Sequence, residues 1–360
     1  MKLLESVPLA ERSTMGVGGP ARYYVNSEDE ATALEAVAWS DRHKVPLRVL
    51  GGGSNLVVAD GGFDGLVLRI AIAGRKVRRD GPAVEIEAGA GENWDPFVAW
   101  TVAEGWAGLE CLSGIPGLVG ATPIQNVGAY GQEVSETIVS VRALDRRGGL
   151  VELAPKTCRF GYRDSLFKSG EPGRYVVLSV RFRLTAGKPP KLAYPELERH
   201  VAGRGIKKPG LLEVRESVLA IRASKSMVID TADENHRSCG SFFTNPLVSA
   251  DEARAIAERV ADPALPQFPQ SDGRVKLSAA WLIERAGFTR GQRFGACGIS
   301  SRHSLALVCH DGARASDVVS LARRVRNVVD ARFGVRLVPE PVFWGFQSID
   351  DDGLPDDRLA

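Results

Sequence analysis

Three side chains stand in short segments whose composition suits chemistry on a charged substrate. Arg163 lies in Cys158-Arg159-Phe160-Gly161-Tyr162-Arg163-Asp164-Ser165-Leu166-Phe167-Lys168, between an aromatic ring and an acid. A guanidinium presents paired donors, so Arg163 is a candidate clamp for a carboxylate. The competing reading is a surface arginine held by Asp164. Ser241 lies in Cys239-Gly240-Ser241-Phe242-Phe243-Thr244-Asn245-Pro246, which is not the G-x-S-x-G elbow of hydrolases. His236 is close in sequence, but nothing there specifies a triad. The hydroxyl could instead give a proton to a strongly basic carbon, which needs no prior activation as a nucleophile; the competing reading is a structural serine in a turn. Glu340 sits between Pro339 and Pro341 in the apolar run Leu337–Gly345. A carboxylate there is costly to bury unless paired or protonated, which makes it a candidate site acid.

Two glycine-rich stretches are the candidate platform for these groups. From Gly105 to Glu133 glycines recur at 105, 108, 114, 117, 120, 128 and 131, with no charge between Glu110 and Glu133. Pro116 and Pro123 add to the glycines in breaking any helix. Such a run allows backbone to approach a bulky ligand closely, with N–H groups turned towards it. Gln125 and Asn126 contribute amides without charge. No Lys-Ser or Lys-Thr follows, which removes the phosphate loop of nucleoside triphosphatases. The second stretch, Gly51-Gly52-Gly53-Ser54-Asn55, is a turn whose unhindered N–H groups could converge on a diphosphate, or simply connect two strands. A third, Gly16-Val17-Gly18-Gly19-Pro20-Ala21, matches G-x-G-x-x-A by letter. No apolar strand leads into it and Pro20 denies it a helix to open, so a Rossmann reading is set aside.

The positioning elements follow from periodicity. Ala31–Lys44 carries an apolar face at 31, 34, 37 and 38 and predicts a helix. Strands are expected at Pro46–Leu50, Leu56–Val58, Val84–Ala88 and Val176–Leu184, with a hairpin at Val141–Leu144 and Leu150–Leu153 about Arg147-Gly148-Gly149. Thr185–Pro190 is a loop at a module edge and Pro263–Pro269 a connector. Helices are expected over Leu211–Arg222, from the capping box Ser249-x-x-Glu252, and along Val318, Leu321, Ala322, Val325, Val328 and Val329. After Phe346 the acidic tail is expected to fray. With 360 residues, 44% hydrophobic, 25% charged and a net charge of +2, the chain has room for two or three domains, and nothing singles out nucleic acid or a membrane surface as its partner. Five cysteines without C-x-x-C, histidines without ligand spacing and no signal segment point to the cytoplasm, with no metal site.

Taken in order, the segments GGGSN (51–55), LSGIPGLVGATPIQNVGAYGQE (112–133), FGYRDSLFK (160–168), GSFFTNP (240–246) and PEPVFW (339–344) closely resemble the UDP-N-acetylenolpyruvoylglucosamine reductase (UDP-N-acetylmuramate dehydrogenase) family, in the form with a substrate-closing loop tyrosine. The resemblance runs from Thr14 to about Gly345. It implies an α+β fold: a vanillyl-alcohol oxidase-type, two-part FAD-binding domain plus an α/β substrate-binding domain. The parts expected are 1–70, with 341–360 as a candidate to return to it, then 71–221, then 222–340.

By motif, the resemblance implies Arg163 as the catalytic arginine, Ser241 as proton donor and Glu340 as catalytic acid. It gives the cofactor to Gly51, Gly52, Gly53, Ser54 and Asn55, and to Ser113, Gly114, Ile115, Pro116, Gly117, Gly120, Ala121, Gln125, Asn126, Gly128, Ala129 and Tyr130. Tyr162, Tyr194, Lys225 and Asn245 fall where the family meets its substrate. Two departures stand out: Ser226–Ser238 differs from the family's shorter, proline-containing linker, and Thr244 replaces a lysine found in many members. The expected activity is NADPH-dependent reduction of UDP-N-acetylglucosamine enolpyruvate through FAD, in peptidoglycan precursor synthesis, by a cytoplasmic enzyme expected to be monomeric. The other readings are an FAD-dependent oxidase of the same fold and a non-catalytic nucleotide-sugar sensor.

Overall fold

In the computed structural model, residues 1–346 are described; the expected fraying tail, with most of the 341–360 segment, lies outside them. The first sheet takes the order Leu4–Pro8, Pro20–Ser27, Phe63–Ile70, Leu47–Leu50, its first pair antiparallel and the others parallel. The helix Glu30–His43 makes the crossover. Asp29 caps it by accepting from Thr32 N, and Lys44 ends it in the left-handed region (φ 54°). The glycines at 16–19 lead into the strand Pro20–Ser27 and open no helix, although a largely exposed strand, Leu4–Pro8, does lie upstream.

The second sheet is antiparallel throughout, in the order Gly149–Leu153, Ile138–Asp145, Tyr175–Ala186, Ala83–Gly89, Arg75–Asp80, with Trp106–Ala107 also paired to the long strand. The expected hairpin is present, with Asp145 opposite Gly149. One core joins these two sheets: Leu66 and Leu68 of the first and Ile86 and Phe182 of the second pack with Trp94 and Phe97.

The third region has a separate core. Its sheet runs Ser238–Ser241, Ala306–Cys309, Cys297–Ile299, Arg293–Phe294. The helix Ala315–Phe333 covers it with Val318, Leu321, Ala322, Val325 and Val329, the stripe read from the sequence less the half-exposed Val328. A three-stranded sheet, Leu247–Val248, Val275–Leu277, Gln267–Pro269, stands beside it, so the proline-rich connector ends in a short strand. The chain then returns: Val342–Trp344 pairs in parallel with Leu56–Val58. That return carries Glu340 to the turn at Gly51–Asn55. All five cysteines are buried and free, and among the described residues no helix is long and apolar enough to cross a membrane.

Candidate functional site

Ser241 ends its strand opposite Ala306, and the two residues after it, Phe242 and Phe243, are locked into the core. Glu340 N donates to Phe242 O (2.9 Å) and Thr244 N to Val338 O (3.0 Å), so residues 338–340 lie antiparallel along 242–244. Extended backbone is what Pro339 and Pro341 favour. This places the glutamate beside the serine although they are far apart in sequence.

Arg163 arrives on a tight turn closed by Gly161 N to Asp164 O (3.0 Å) and itself takes a left-handed φ of 54°. Its Nη2 donates to Gly128 O (2.6 Å) in the glycine-rich wall, and its Nε lies 3.5 Å from Glu340 Oε1. The reading of a surface arginine held by Asp164 fails, because that carboxylate accepts instead from Ser165 N (2.8 Å) and Ser169 Oγ (2.6 Å). Asn126, Tyr130 and Ser226 are also left-handed without being glycine. Such strain concentrates where a site over-determines its backbone.

One network ties three distant segments. Asn55 Nδ2 donates to Gln125 Oε1 (3.2 Å) and to Glu340 O (3.1 Å), and Gln125 Nε2 donates to Glu340 Oε1 (3.3 Å). Burial pushes the Glu340 carboxyl above its ordinary value, against the opposing pull of Arg163, Lys168 and the Gln125 hydrogen bond. Two lysines missed in the sequence reading stand here. Lys168 donates to Arg163 O (2.9 Å), and Lys276 lies over the Tyr162 ring (5.2 Å). Burial lowers both ammonium pKa values, and neither makes an ion pair within 4.0 Å among the described residues. The signal for Lys168 lay in its own motif; that for Lys276 was a lone cation between Val275 and Leu277.

Arg163, Ser241 and Glu340 share one cavity of about 700 Å³ with Gly51–Asn55, Ile115, Pro116, Gly120, Ala121, Gln125 and Gly128. Three observations suit it to a large anionic, polar-edged ligand. The main-chain N–H groups of Gly51–Asn55 donate to nothing among the described residues. A Cβ on Gly52 would fall 2.8 Å from Gly117 Cα, so two backbones meet here as only glycine permits. Thr14 Oγ1 and Arg222 Nε are buried at the cavity without a hydrogen-bond partner among the described residues. A dinucleotide with a diphosphate between polar-edged rings fits this donor set.

The other expected residues stand behind or beside the cavity. Ser113 bonds Glu110 O (2.6 Å), and Asn126 spends its side chain on Glu133, Gly161 O and Ser135 N. Gly114 N donates to Asp95 (2.6 Å), while Gly117 backs Gly52. Ala129 sits in a short hairpin with Gln132, and Tyr130 meets Tyr194 edge-on at 5.5 Å. Tyr162 packs under Arg163 with Asn245 at its hydroxyl, and Asn245 Oδ1 accepts from Ala279 N (3.0 Å). Lys225 pairs with Glu196 (2.6 Å). Tyr194 is half-exposed at the start of the helix Pro195–Gly203.

Comparison with known proteins covers both halves of this arrangement. A family model described as an FAD binding domain matches residues 21–154. One described as the C-terminal domain of UDP-N-acetylenolpyruvoylglucosamine reductase matches 231–344. The chain is 48% identical over 349 residues to the UDP-N-acetylenolpyruvoylglucosamine reductase of Thermobifida fusca, covering 94% of this chain and 97% of that one. To the protein of the same name from Pseudomonas aeruginosa it is 44% identical over 343 residues, covering 95% and 98%. Among solved structures, the UDP-N-acetylenolpyruvylglucosamine reductase of Thermus caldophilus superposes with a TM-score of 0.64 at 27% identity, over 95% of this chain and 98% of that one.

Proposed function

The chain belongs to the UDP-N-acetylenolpyruvoylglucosamine reductase family, and from that premise we propose that it reduces UDP-N-acetylglucosamine enolpyruvate to UDP-N-acetylmuramate at the expense of NADPH, in the cytoplasm. It is an FAD-dependent oxidoreductase of peptidoglycan synthesis, with an α+β fold that includes an FAD-binding domain. The observation that carries the substrate reading is the convergence of Arg163, Ser241 and Glu340 on the cavity bordered by Gly51–Asn55.

In this reading the N–H groups of Gly51–Asn55 would hold the diphosphate of FAD, and residues of the wall from Ile115 to Gly128 would contact its rings. When bound, FAD supplies the two-electron relay between NADPH and the enolpyruvyl group. Hydride delivered to the terminal methylene leaves negative charge on the adjoining carbon and its carboxylate. Arg163 and Glu340, whose carboxyl is biased by burial towards the protonated form, would face that charge from partly buried positions, where preorganised donors act more strongly than in bulk water. Ser241 then gives its hydroxyl proton to the carbon. No hydrogen bond holds that hydroxyl among the described residues, which leaves it free to turn. Lys168 and Lys276, with lowered affinity for their protons and no ion pair within 4.0 Å among the described residues, supply positive charge to an anionic substrate. Tyr162, Tyr194, Lys225 and Asn245 are proposed to contact the nucleotide sugar, with Lys225 leaving Glu196 for the diphosphate.

The test is optical. Purified protein should carry flavin absorbance that NADPH bleaches and the enolpyruvyl nucleotide sugar restores. Bleaching that oxygen reverses but the nucleotide sugar does not would instead indicate an oxidase.

A further inference from the structure

The segment joining the helix Leu211–Ser224 to the strand Ser238–Ser241 borders the cavity through residues 226–231. Its two ends are fixed. Asn235, 3% exposed, donates to Ser226 Oγ (3.1 Å) and Ser301 Oγ (3.0 Å) and accepts from Ser301 N (3.0 Å). Arg222 Nη2 donates to Met227 O (2.5 Å), and Ser226 takes a left-handed φ of 56°. Val228 lies against the glycine-rich wall, its Cγ1 3.2 Å from where a Cβ on Gly114 would stand. After Ile229 the chain folds back, with Ala232 N donating to Asp230 (2.9 Å).

Between these anchors Ile229 is 70% exposed. A stapled loop that keeps a large aliphatic side chain in water gives up the free energy of burying it. The surface Ile229 borders is the cavity itself, so whatever fills the cavity can cover it. We propose that residues 226–231 form a strap belonging to the FAD-binding surface, and that Ile229 is an apolar contact covered by a ring system of the dinucleotide. This rests on FAD being the ligand of the cavity. The strap would hold the cofactor by contact area, complementing the N–H donors of Gly51–Asn55, and Val228 and the Met227 clamp fix its height above the wall.

The test uses the holoprotein. Release of FAD on dilution is followed by the recovery of free-flavin fluorescence for wild type, Ile229→Val and Ile229→Ser. Loss of the buried aliphatic area should speed release from Ile229→Ser by about 5- to 20-fold, with Ile229→Val within about threefold of wild type. Amide exchange over 226–231 should slow in the holoprotein relative to protein stripped of flavin. Equal release rates for wild type and Ile229→Ser, or exchange at 226–231 indifferent to FAD, overturn the strap alone. Wild-type protein that neither carries nor takes up FAD overturns the cofactor reading of the cavity, and the strap with it.

Discussion

Arg163 Nε stands 3.5 Å from Glu340 Oε1, too far for a strong hydrogen bond, while Arg163 Nη2 is committed to Gly128 O at 2.6 Å. The guanidinium is therefore held by the glycine-rich wall, and the carboxyl beside it is free to carry a proton. Burial raises the Glu340 pKa above its ordinary 4.5, so the neutral acid persists to higher pH than a surface glutamate would.

From this follows a pH signature. Substrate-dependent turnover should fall as pH rises through the raised pKa of Glu340, where the acid loses its proton. Glu340→Gln should lower kcat by roughly 10²- to 10³-fold, the usual cost of losing one group that faces developing charge, and should lack that alkaline limb. Stability moves with it. A raised folded pKa contributes stability that is full below the unfolded value and lost as pH rises through the folded one. Glu340→Gln should therefore gain in melting temperature relative to wild type as pH rises from 4.5 through the raised folded pKa. An unchanged alkaline limb in the variant assigns that limb to another group.

Ser241→Ala separates the two half-reactions. Reduction of flavin by NADPH needs no proton from Ser241 and should proceed at the wild-type rate. Reoxidation by the enolpyruvyl nucleotide sugar should fall by about 10²- to 10⁴-fold, the range for a lost general acid. Stopped-flow flavin absorbance measures each phase alone. Reoxidation at the wild-type rate removes Ser241 from the proton transfer.

Much of this site was legible in the chain because its parts are local. GGGSN at 51–55 is a turn by composition and is observed as one between two strands. The helix from Glu30, the capping box at Ser249 and the stripe from Val318 follow from periodicity and hydrogen-bond chemistry within one or two turns. What stayed hidden depends on contacts between segments. The side chain of Asn55 ties Gln125 to the main chain of Glu340, a link between three segments that no local stretch announces. Lys276 lay in a three-residue strand too short for any period to mark, and its burial against Tyr162 exists only after the sheets assemble. The burial that raises Glu340's pKa is likewise made by residues from several modules, which no single stretch of sequence contains.

Gly52→Ala should cost cofactor before it costs the fold. The new Cβ would sit 2.8 Å from Gly117 Cα, forcing two lengths of backbone apart at the proposed diphosphate grip. Gly53→Ala is harsher: φ is +65°, and the Cβ would fall against Arg12 O, where backbone has no room to yield. The expected order of FAD retained per chain after purification is wild type, then Gly52→Ala, then Gly53→Ala. Only Gly53→Ala should show a melting temperature lowered by several degrees when both are compared without flavin. Full flavin content in Gly52→Ala would show that the close approach to Gly117 plays no part in cofactor binding.

His303 predicts how stability responds to acid. Burial, reinforced by Lys225 and Arg290 and opposed by Glu196, lowers its pKa from 6.5 to about 4. The folded protein thus keeps it neutral where the unfolded chain would protonate it. A depressed folded pKa contributes stability that is whole above 6.5 and is lost as pH falls towards about 4. The loss amounts to as much as roughly 3 kcal/mol at about 1.4 kcal/mol per pH unit. His303→Gln should flatten this part of the acid limb in urea unfolding, while other groups leave the remainder. Because Lys225 contributes to the shift, Lys225→Met should raise the pKa of His303, measurable by titration of its ring protons. Titration unmoved by the loss of Lys225 would show that this ammonium does not act on the His303 ring.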